Sequence, residues 1–480
     1  SMPFQSQTWN NLSQLLGELP RRRVRLLVVV LIASLVQGLV DVVLVAMLAR
    51  LVGLLAGTRV NDFLPGIRVF GGGSVDQSGW LVVLLIGSFW LASGLRFSVS
   101  LLQSLLSAEV WNDLVNRVYA NLMLQKYEFF IRQRTANLSE QFNRIINNVS
   151  TRVISPLIMI AGNLVSIASL FVGVVLILGY QALIIFILML AAYVLASALI
   201  TPYLRLSSKQ KIRYGRRINL LLMESLRSMR EVQLYSAENY FVAKFSRDGV
   251  VAKRFDRVGK LLPDVPRLVI EPAGITILFA VAIGPALVSG DPQSVRESIP
   301  SLSAVLVALL RISGPLQSMF RSINKLRGGL PEIEDALELL SLKPDRFLLN
   351  SPGVPTPDGV MPRRFIKLKH ISFSYSKDLE TVVNDINLTI PIGSRIALVG
   401  RTGSGKTTLA HLLLGLFEPT SGSLLLDGVA VTNQELPAWQ ANCAFVPQSI
   451  RLIDASIRDN VAFGLDADQI DDDLVWSALE

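Results

Sequence analysis

Gly400-Arg401-Thr402-Gly403-Ser404-Gly405-Lys406-Thr407-Thr408 is the stretch that decides how this chain reads. It follows the apolar run Ile396-Ala397-Leu398-Val399 and precedes the helix-like Leu409-Ala410-His411-Leu412-Leu413-Leu414. Strand, glycine loop and helix in that order make the setting of a phosphate-binding loop. The glycines let backbone N–H groups close around phosphate oxygens, and the helix N-terminus adds favourable charge. Lys406 is placed to reach the terminal phosphates, and Thr407 has the hydroxyl expected on Mg²⁺.

The rest of the chain is mostly membrane. Its 480 residues are 51% hydrophobic and only 17% charged, with a mean hydropathy of +0.47. A soluble protein carries about 25% charged residues, so the deficit marks an integral membrane protein. Six apolar segments reach the roughly 20 residues a spanning helix needs. They are Leu26–Leu55, Trp80–Ser107, Val153–Leu178, Ala182–Leu204, Leu268–Val288 and Ile299–Phe320.

A formal net charge of +9 could serve nucleic acid, anionic lipid or cytoplasmic loops, and its distribution decides. Arg21, Arg22, Arg23 and Arg25 lead into the first segment; Arg117, Lys126, Arg132, Arg134 and Arg144 fill the second connection. The fourth connection is denser, with Lys209, Lys211, Arg213, Arg216, Arg217, Lys253, Arg254 and Arg257, whereas Gly179-Tyr180-Gln181 between them has none. By the positive-inside rule both chain ends and the two long connections are cytoplasmic, and no nucleic-acid partner is needed. Both connections keep helical spacing, as in Ile218-Leu221-Leu222-Ser225-Met229, and read as membrane helices running far into the cytoplasm. The single cysteine, Cys443, rules out an intrachain disulfide and reads as a buried small hydrophobe.

Near Leu342 the composition shifts. Lys343-Pro344, Ser351-Pro352-Gly353, Pro355, Pro357 and Gly359 mark a linker. Strand-like runs follow at Phe365–Leu368, Asn387–Ile390, Arg395–Val399, Ser423–Leu426 and Cys443–Val446. The expected organisation is a cytoplasmic segment at 1–23, an all-α polytopic membrane domain at 24–340, a linker at 341–364, and an α/β P-loop domain with an antiparallel β layer at 365–480.

With these motifs the chain resembles the ABC exporters, in the form of a half-transporter with a membrane domain fused to an ATPase domain. Ser372-Phe373-Ser374-Tyr375 resembles the family's aromatic loop, which implies that Tyr375 stacks on adenine. Gly400 to Thr408 matches the Walker A loop, and Val446-Pro447-Gln448 the Q-loop, where Gln448 would help to hold Mg²⁺ and sense the membrane domain. Asp454 to Val461 resembles the lead into the helical subdomain, and Glu231 to Phe241 the second coupling helix, which docks on the partner's ATPase domain. His411 reads as a helix-surface residue and not as the family's switch histidine. The resemblance implies ATP and Mg²⁺ as cofactors, a second half-transporter subunit in a homodimer, the cell inner membrane as location, and alternating access as mechanism. The signature motif, the Walker B aspartate, the catalytic glutamate and the switch histidine that it also implies do not occur up to Glu480. The ATPase domain is therefore read as incomplete and the sequence as cropped from a longer chain, with a non-hydrolysing nucleotide-binding membrane regulator as the alternative.

Asp41, Arg96 and Arg311 fall inside apolar spans, where charge is costly and defaults to a functional reading. Counted from the outer helix ends they lie roughly 22, 24 and 18 Å deep at 1.5 Å per residue. The expectation is a shared cavity where Asp41 offsets part of the arginine charge and the remainder attracts an anionic headgroup or phosphate; a structural ion pair is the competing reading. The cargo is then amphipathic, lipid-like or lipid-linked, with a drug or peptide exporter as the alternative.

Overall fold

Apolar runs of this length have one way to satisfy their backbone in lipid, which is to bond internally as helices. The computed structural model describes residues 20–55, 78–132, 135–178, 180–262, 265–282, 284, 288, 290, 292–376, 380–448 and 450–480. In chain order the helices are α1 (Arg21–Leu55), α2 (Ser78–Met123), α3 (Tyr127–Arg132), α4 (Thr135–Arg144), a π-helical stretch Ile145–Ile154, α5 (Ser155–Leu178), α6 (Tyr180–Arg227), α7 (Met229–Leu234), α8 (Glu238–Leu261), α9 (Val265–Ala282) and α10 (Pro292–Leu340). Among the described residues five stretches are long and apolar enough to cross a membrane: Arg21–Leu55, Val82–Met123, Gln141–Leu176, Phe186–Arg227 and Leu302–Leu326. The other expected span, 268–288, is helical as far as Ala282, and part of its far end lies outside the described residues. At 46, 48 and 49 residues, α2, α6 and α10 each run about 70 Å, more than twice the thickness of a hydrocarbon core.

Contacts divide the chain into two units, Ser1–Leu122 with Thr135–Leu342, and Met123–Arg134 with Lys343–Glu480. In the first, α1 packs on α5 through small residues, the device by which membrane helices approach closely without a hydrophobic driving force. Ser166 Oγ donates to the Ser34 carbonyl at 3.0 Å. A Cβ placed on Gly173 would lie 2.2 Å from Val42 Cγ2, so the stiff valine requires glycine there. Val45 and Ala49 of α1, Leu170 and Val174 of α5, and Ala304, Ala308 and Ile312 of α10 close one buried core. Trp111 Nε1 of α2 donates to the Ile146 carbonyl in the π-helical stretch at 2.8 Å.

The long charged arms of α6 and α8 are held to each other. Lys211 of α6 pairs with Asp256 of α8 at 2.7 Å, and Lys260 meets the same carboxylate at 2.7 Å. Hydrogen bonds from Lys211 and Lys260 pull the Asp256 carboxyl down to about 2. Ser207 Oγ donates to the Phe255 carbonyl at 2.8 Å, and Tyr214 stacks on Phe255 at 6.3 Å. The stretch that resembles the second coupling helix forms α7, a turn at Ser236 (φ 51°), and the start of α8, with Leu234 and Tyr235 exposed at its tip.

The second unit carries β1 (Phe365–Phe373), β2 (Val383–Pro391), α11 (Lys406–Leu413), β3 (Ser421–Leu426), β4 (Val429–Ala430), α12 (Leu436–Ala441), α13 (Ile457–Val461) and α14 (Asp472–Leu479). The strands pair antiparallel in the order β2-β1-β3-β4, with Ile366 opposite Ile390 on one side and Leu426 on the other. Leu368, Ile371, Phe373, Leu412, Phe417 and Trp439 fill the core between the sheet and α11 and α12. Two expected strands do not form. Residues 395–399 and 443–446 enter no ladder, and Val399 and Val446 are 92% and 86% exposed. A parallel-sheet strand needs backbone partners at its edges, and no described strand lies beside these two.

Gly173→Leu should drive a side chain into Val42 and lower the Tm of the detergent-purified chain, by an overpacking cost of about 1–3 kcal/mol. Gly215→Leu, at a position with open space around it, should leave the Tm within error.

Candidate nucleotide-binding site and intramembrane charge cluster

The loop from Gly400 to Gly405 closes directly onto α11. Gly403 and Gly405 sit at φ +86° and +87°, in the left-handed region that favours glycine. A Cβ on Gly405 would also lie 3.0 Å from the Val382 carbonyl, so the tight turn is doubly specified. Lys406 Nζ donates to the carbonyls of Gly400 and Arg401 at 2.8 Å each. The ammonium is thus folded back over the loop that precedes it, among the backbone groups that would face a phosphate. Free N–H groups at the start of an eight-residue helix and a lysine held above them fit a triphosphate well. Thr407 follows within the first turn of the same helix. Gln448 is exposed on the irregular segment after Cys443, and no hydrogen bond or ion pair joins it to the loop among the described residues.

Tyr375 comes to the same helix, but by its hydroxyl. Its oxygen lies 2.9 Å from Thr408 Oγ1. Its ring meets Phe373 edge-on at 5.1 Å and 81°, and Phe417 at 5.7 Å and 82°. Phe417, 3% exposed, in turn stacks on Phe373 at 4.9 Å with the rings 4° apart.

Phe417 also seats the short helix α3. Tyr127 stacks on it at 6.0 Å and 21°, and meets His411 edge-on at 5.8 Å. Lys126 Nζ pairs with Glu418 Oε2 at 2.6 Å, and the Glu418 N–H donates to Glu128 Oε1 at 2.6 Å. Gln125 Nε2 adds a bond to the Lys343 carbonyl at 2.7 Å. The segment between α2 and α4 is therefore anchored on the nucleotide unit, beside the aromatic cluster. His411 corrects the sequence reading. It is half-buried between Tyr127, Phe417 and Phe445 rather than free on a helix surface, and burial lowers its pKa. The sequence signal was faint: an aromatic run, Tyr127-Glu128-Phe129-Phe130, between two apolar spans, and one phenylalanine just past α11.

In the membrane unit α1, α2 and α10 bring Asp41, Arg96 and Arg311 together. Arg96 Nη2 lies 2.9 Å from Asp41 Oδ2, and Arg311 Nη1 lies 3.2 Å from Asp41 Oδ1. The second contact is an ion pair without the alignment of a hydrogen bond, so Oδ1 keeps an unused acceptor site. Arg96 Nε is likewise buried without a hydrogen-bond partner. The Asp41 side chain is 3% exposed and that of Arg96 34%, so the cluster opens on the arginine side. The Arg311 guanidinium lies over the Phe89 ring at 4.7 Å, a cation–π contact. Two guanidinium groups on one carboxylate leave an excess of one positive charge in an apolar bundle.

The model of the ABC transporter transmembrane region matches residues 27–254, and that of the ABC transporter domain matches residues 383–480. Among curated proteins, an ATP-dependent lipid A-core flippase of Pectobacterium atrosepticum is 22% identical over 428 residues, covering 87% of this chain and 71% of its own length. One from Thiobacillus denitrificans is 25% identical over 422 residues, covering 86% and 71%. Among solved structures, a bacterial Atm1-family ABC exporter with ATP bound matches with a TM-score of 0.64 at 21% identity, covering 93% of this chain and 74% of its own.

Removing the loop's ammonium with Lys406→Ala should weaken ATP binding to the detergent-purified chain at least tenfold, since charged hydrogen bonds are worth about 1.5–3 kcal/mol. Titration calorimetry measures it, with far-UV circular dichroism as the folding control.

Proposed function

This chain belongs to the ABC transporter family, as an exporter-type membrane region joined to an ATP-binding domain, and from that premise we propose that it uses ATP to flip an anionic, lipid-like or lipid-linked amphiphile across the membrane. The observation that carries the cargo class is the Asp41–Arg96–Arg311 cluster. Charge in a membrane bundle is retained where it serves a pathway. Two guanidinium groups on one carboxylate, with the Arg96 side chain 34% exposed, suit a phosphate or carboxylate headgroup, and the apolar surroundings suit acyl chains. The flippase relatives are named for a lipid cargo, lipid A-core, which supports a lipid-like cargo here.

The chain's own residues supply nucleotide binding and charge stabilisation. The Walker loop cradles the phosphates, and Lys406 turns from the Gly400 and Arg401 carbonyls to the terminal phosphates. The oxygens of Thr407 and Gln448 would hold Mg²⁺, a hard cation that prefers oxygen ligands and neutralises phosphate charge. Tyr375 would stack on the adenine. A second copy of the chain completes the working unit, with the exposed Leu234 and Tyr235 tip docking on its ATPase domain. ATP drives the cycle only by binding one arrangement of the pair better than the other. The density of lysine and arginine around α6 and α8 supports a cytoplasmic position for the ATP-binding domain, as in an inner-membrane protein.

Arg96→Gln and Arg311→Gln should each raise the concentration of a diphosphorylated lipid that half-saturates stimulated ATPase in proteoliposomes, by about ten- to a hundredfold for a lost charged hydrogen bond. Unchanged half-saturation in both variants would contradict the cargo role and leave the cluster a structural ion pair.

A further inference from the structure

Tyr375 is doing something other than waiting for a base. Its hydroxyl is bonded to Thr408 Oγ1 at 2.9 Å, and Thr408 is 5% exposed on the first turn of the Walker helix. Its ring is gripped edge-on by Phe373 and Phe417, at 81° and 82°. Stacking needs a free aromatic face lying parallel to the base. A nucleotide also runs from its phosphates through the ribose to the base. A phenol whose oxygen touches the third residue of α11 lies within the first turn of the helix whose N-terminus would face the phosphates.

We infer that the Tyr375–Thr408 hydrogen bond is a latch on the nucleobase site, which ATP must open before adenine can stack. The inference rests on the reading of Tyr375 as the adenine-stacking residue and deepens it into a control on nucleotide entry. In the latched pose the ring closes the base side of the site while the phosphate loop stays formed. When the base arrives, the hydroxyl leaves Thr408 and the ring swings to present its face. The hydrogen bond is lost on the binding path, so it subtracts from nucleotide affinity. Phe417 touches both Tyr375 and Tyr127, so the swing removes one neighbour from the residue that seats α3. Base occupancy is thereby felt at the segment that continues α2.

The latch separates two contributions of one residue. A typical hydrogen bond contributes about 0.5–1.5 kcal/mol net, which is about two- to tenfold in affinity. Base–aromatic stacking contributes about 1–3 kcal/mol in the opposite sense. Tyr375→Phe keeps the ring and removes the latch; Tyr375→Ala removes both.

Calorimetric titration of the whole chain in detergent, with ATP and separately with inorganic tripolyphosphate, tests this. Tyr375→Phe should bind ATP about two- to tenfold more tightly than the unsubstituted chain, Tyr375→Ala should bind it more weakly, and tripolyphosphate affinity should be the same in all three. ATP affinity of Tyr375→Phe equal to or below that of the unsubstituted chain overturns the latch and leaves stacking alone. Tripolyphosphate tightening together with ATP in Tyr375→Phe also overturns it, because the bond would then restrain the phosphate loop instead of the base. An unsubstituted chain that binds tripolyphosphate but shows no gain from the adenosine overturns the stacking reading itself.

Discussion

A carboxylate cannot remain charged inside a lipid-embedded bundle without a partner, and Asp41 has two. The cost of burying an isolated charge is several kcal/mol even after relaxation, so α1, α2 and α10 are tied wherever Asp41, Arg96 and Arg311 meet. The small-residue seam between α1 and α5 fixes α1 with the carboxylate facing that way. Gly173 and Ser166 allow the approach, and Val45 and Ala49 continue the same helix into the shared core with α10. The bundle is thus closed by close packing and held in one arrangement by an ion cluster that carries one positive charge in excess of neutrality.

In the proposed function, that imbalance is what a cargo headgroup would act on. An anion entering beside Arg96 would compete with Asp41 for the guanidinium groups, and a shift in their sharing would change how three helices are tied. One of those helices also leads to the nucleotide unit. α2 carries Arg96, ends at Met123, and lies four residues before Tyr127 in sequence. From Arg96 to Met123 is about 40 Å of continuous helix at 1.5 Å per residue. We propose that this helix and the segment that follows it in sequence are the route by which the two sites would be coupled. Such coupling needs the two sites to bias the same pair of arrangements, in either direction.

Much of this was legible in the sequence because it is local. Long apolar runs, the glycine spacing of the Walker loop and the proline-rich linker each declare themselves within a few tens of residues. The three intramembrane charges could be placed at one depth by counting along their helices, although only the fold brings them within ion-pair distance. What stayed hidden depends on partners distant in sequence. Residues 395–399 and 443–446 have strand composition, but a strand exists only where another lies beside it. The seat of α3 pairs Tyr127 with Phe417 and Lys126 with Glu418, nearly three hundred residues apart. Neither half carries a pattern that names the other. His411 misled for the same reason: on α11 alone it faces outward, and the aromatic residues that cover it come from elsewhere in the chain.

The central claim is that occupancy of the Walker loop and occupancy of the charge cluster are linked. The most direct measurement is the affinity of the reconstituted chain for a fluorescent diphosphorylated lipid, with and without a saturating non-hydrolysable ATP analogue. The account predicts a shift of at least about fivefold, the lower end of ordinary coupling free energies of 1–3 kcal/mol. Identical lipid affinities in the two conditions, with the analogue demonstrably bound, would contradict it.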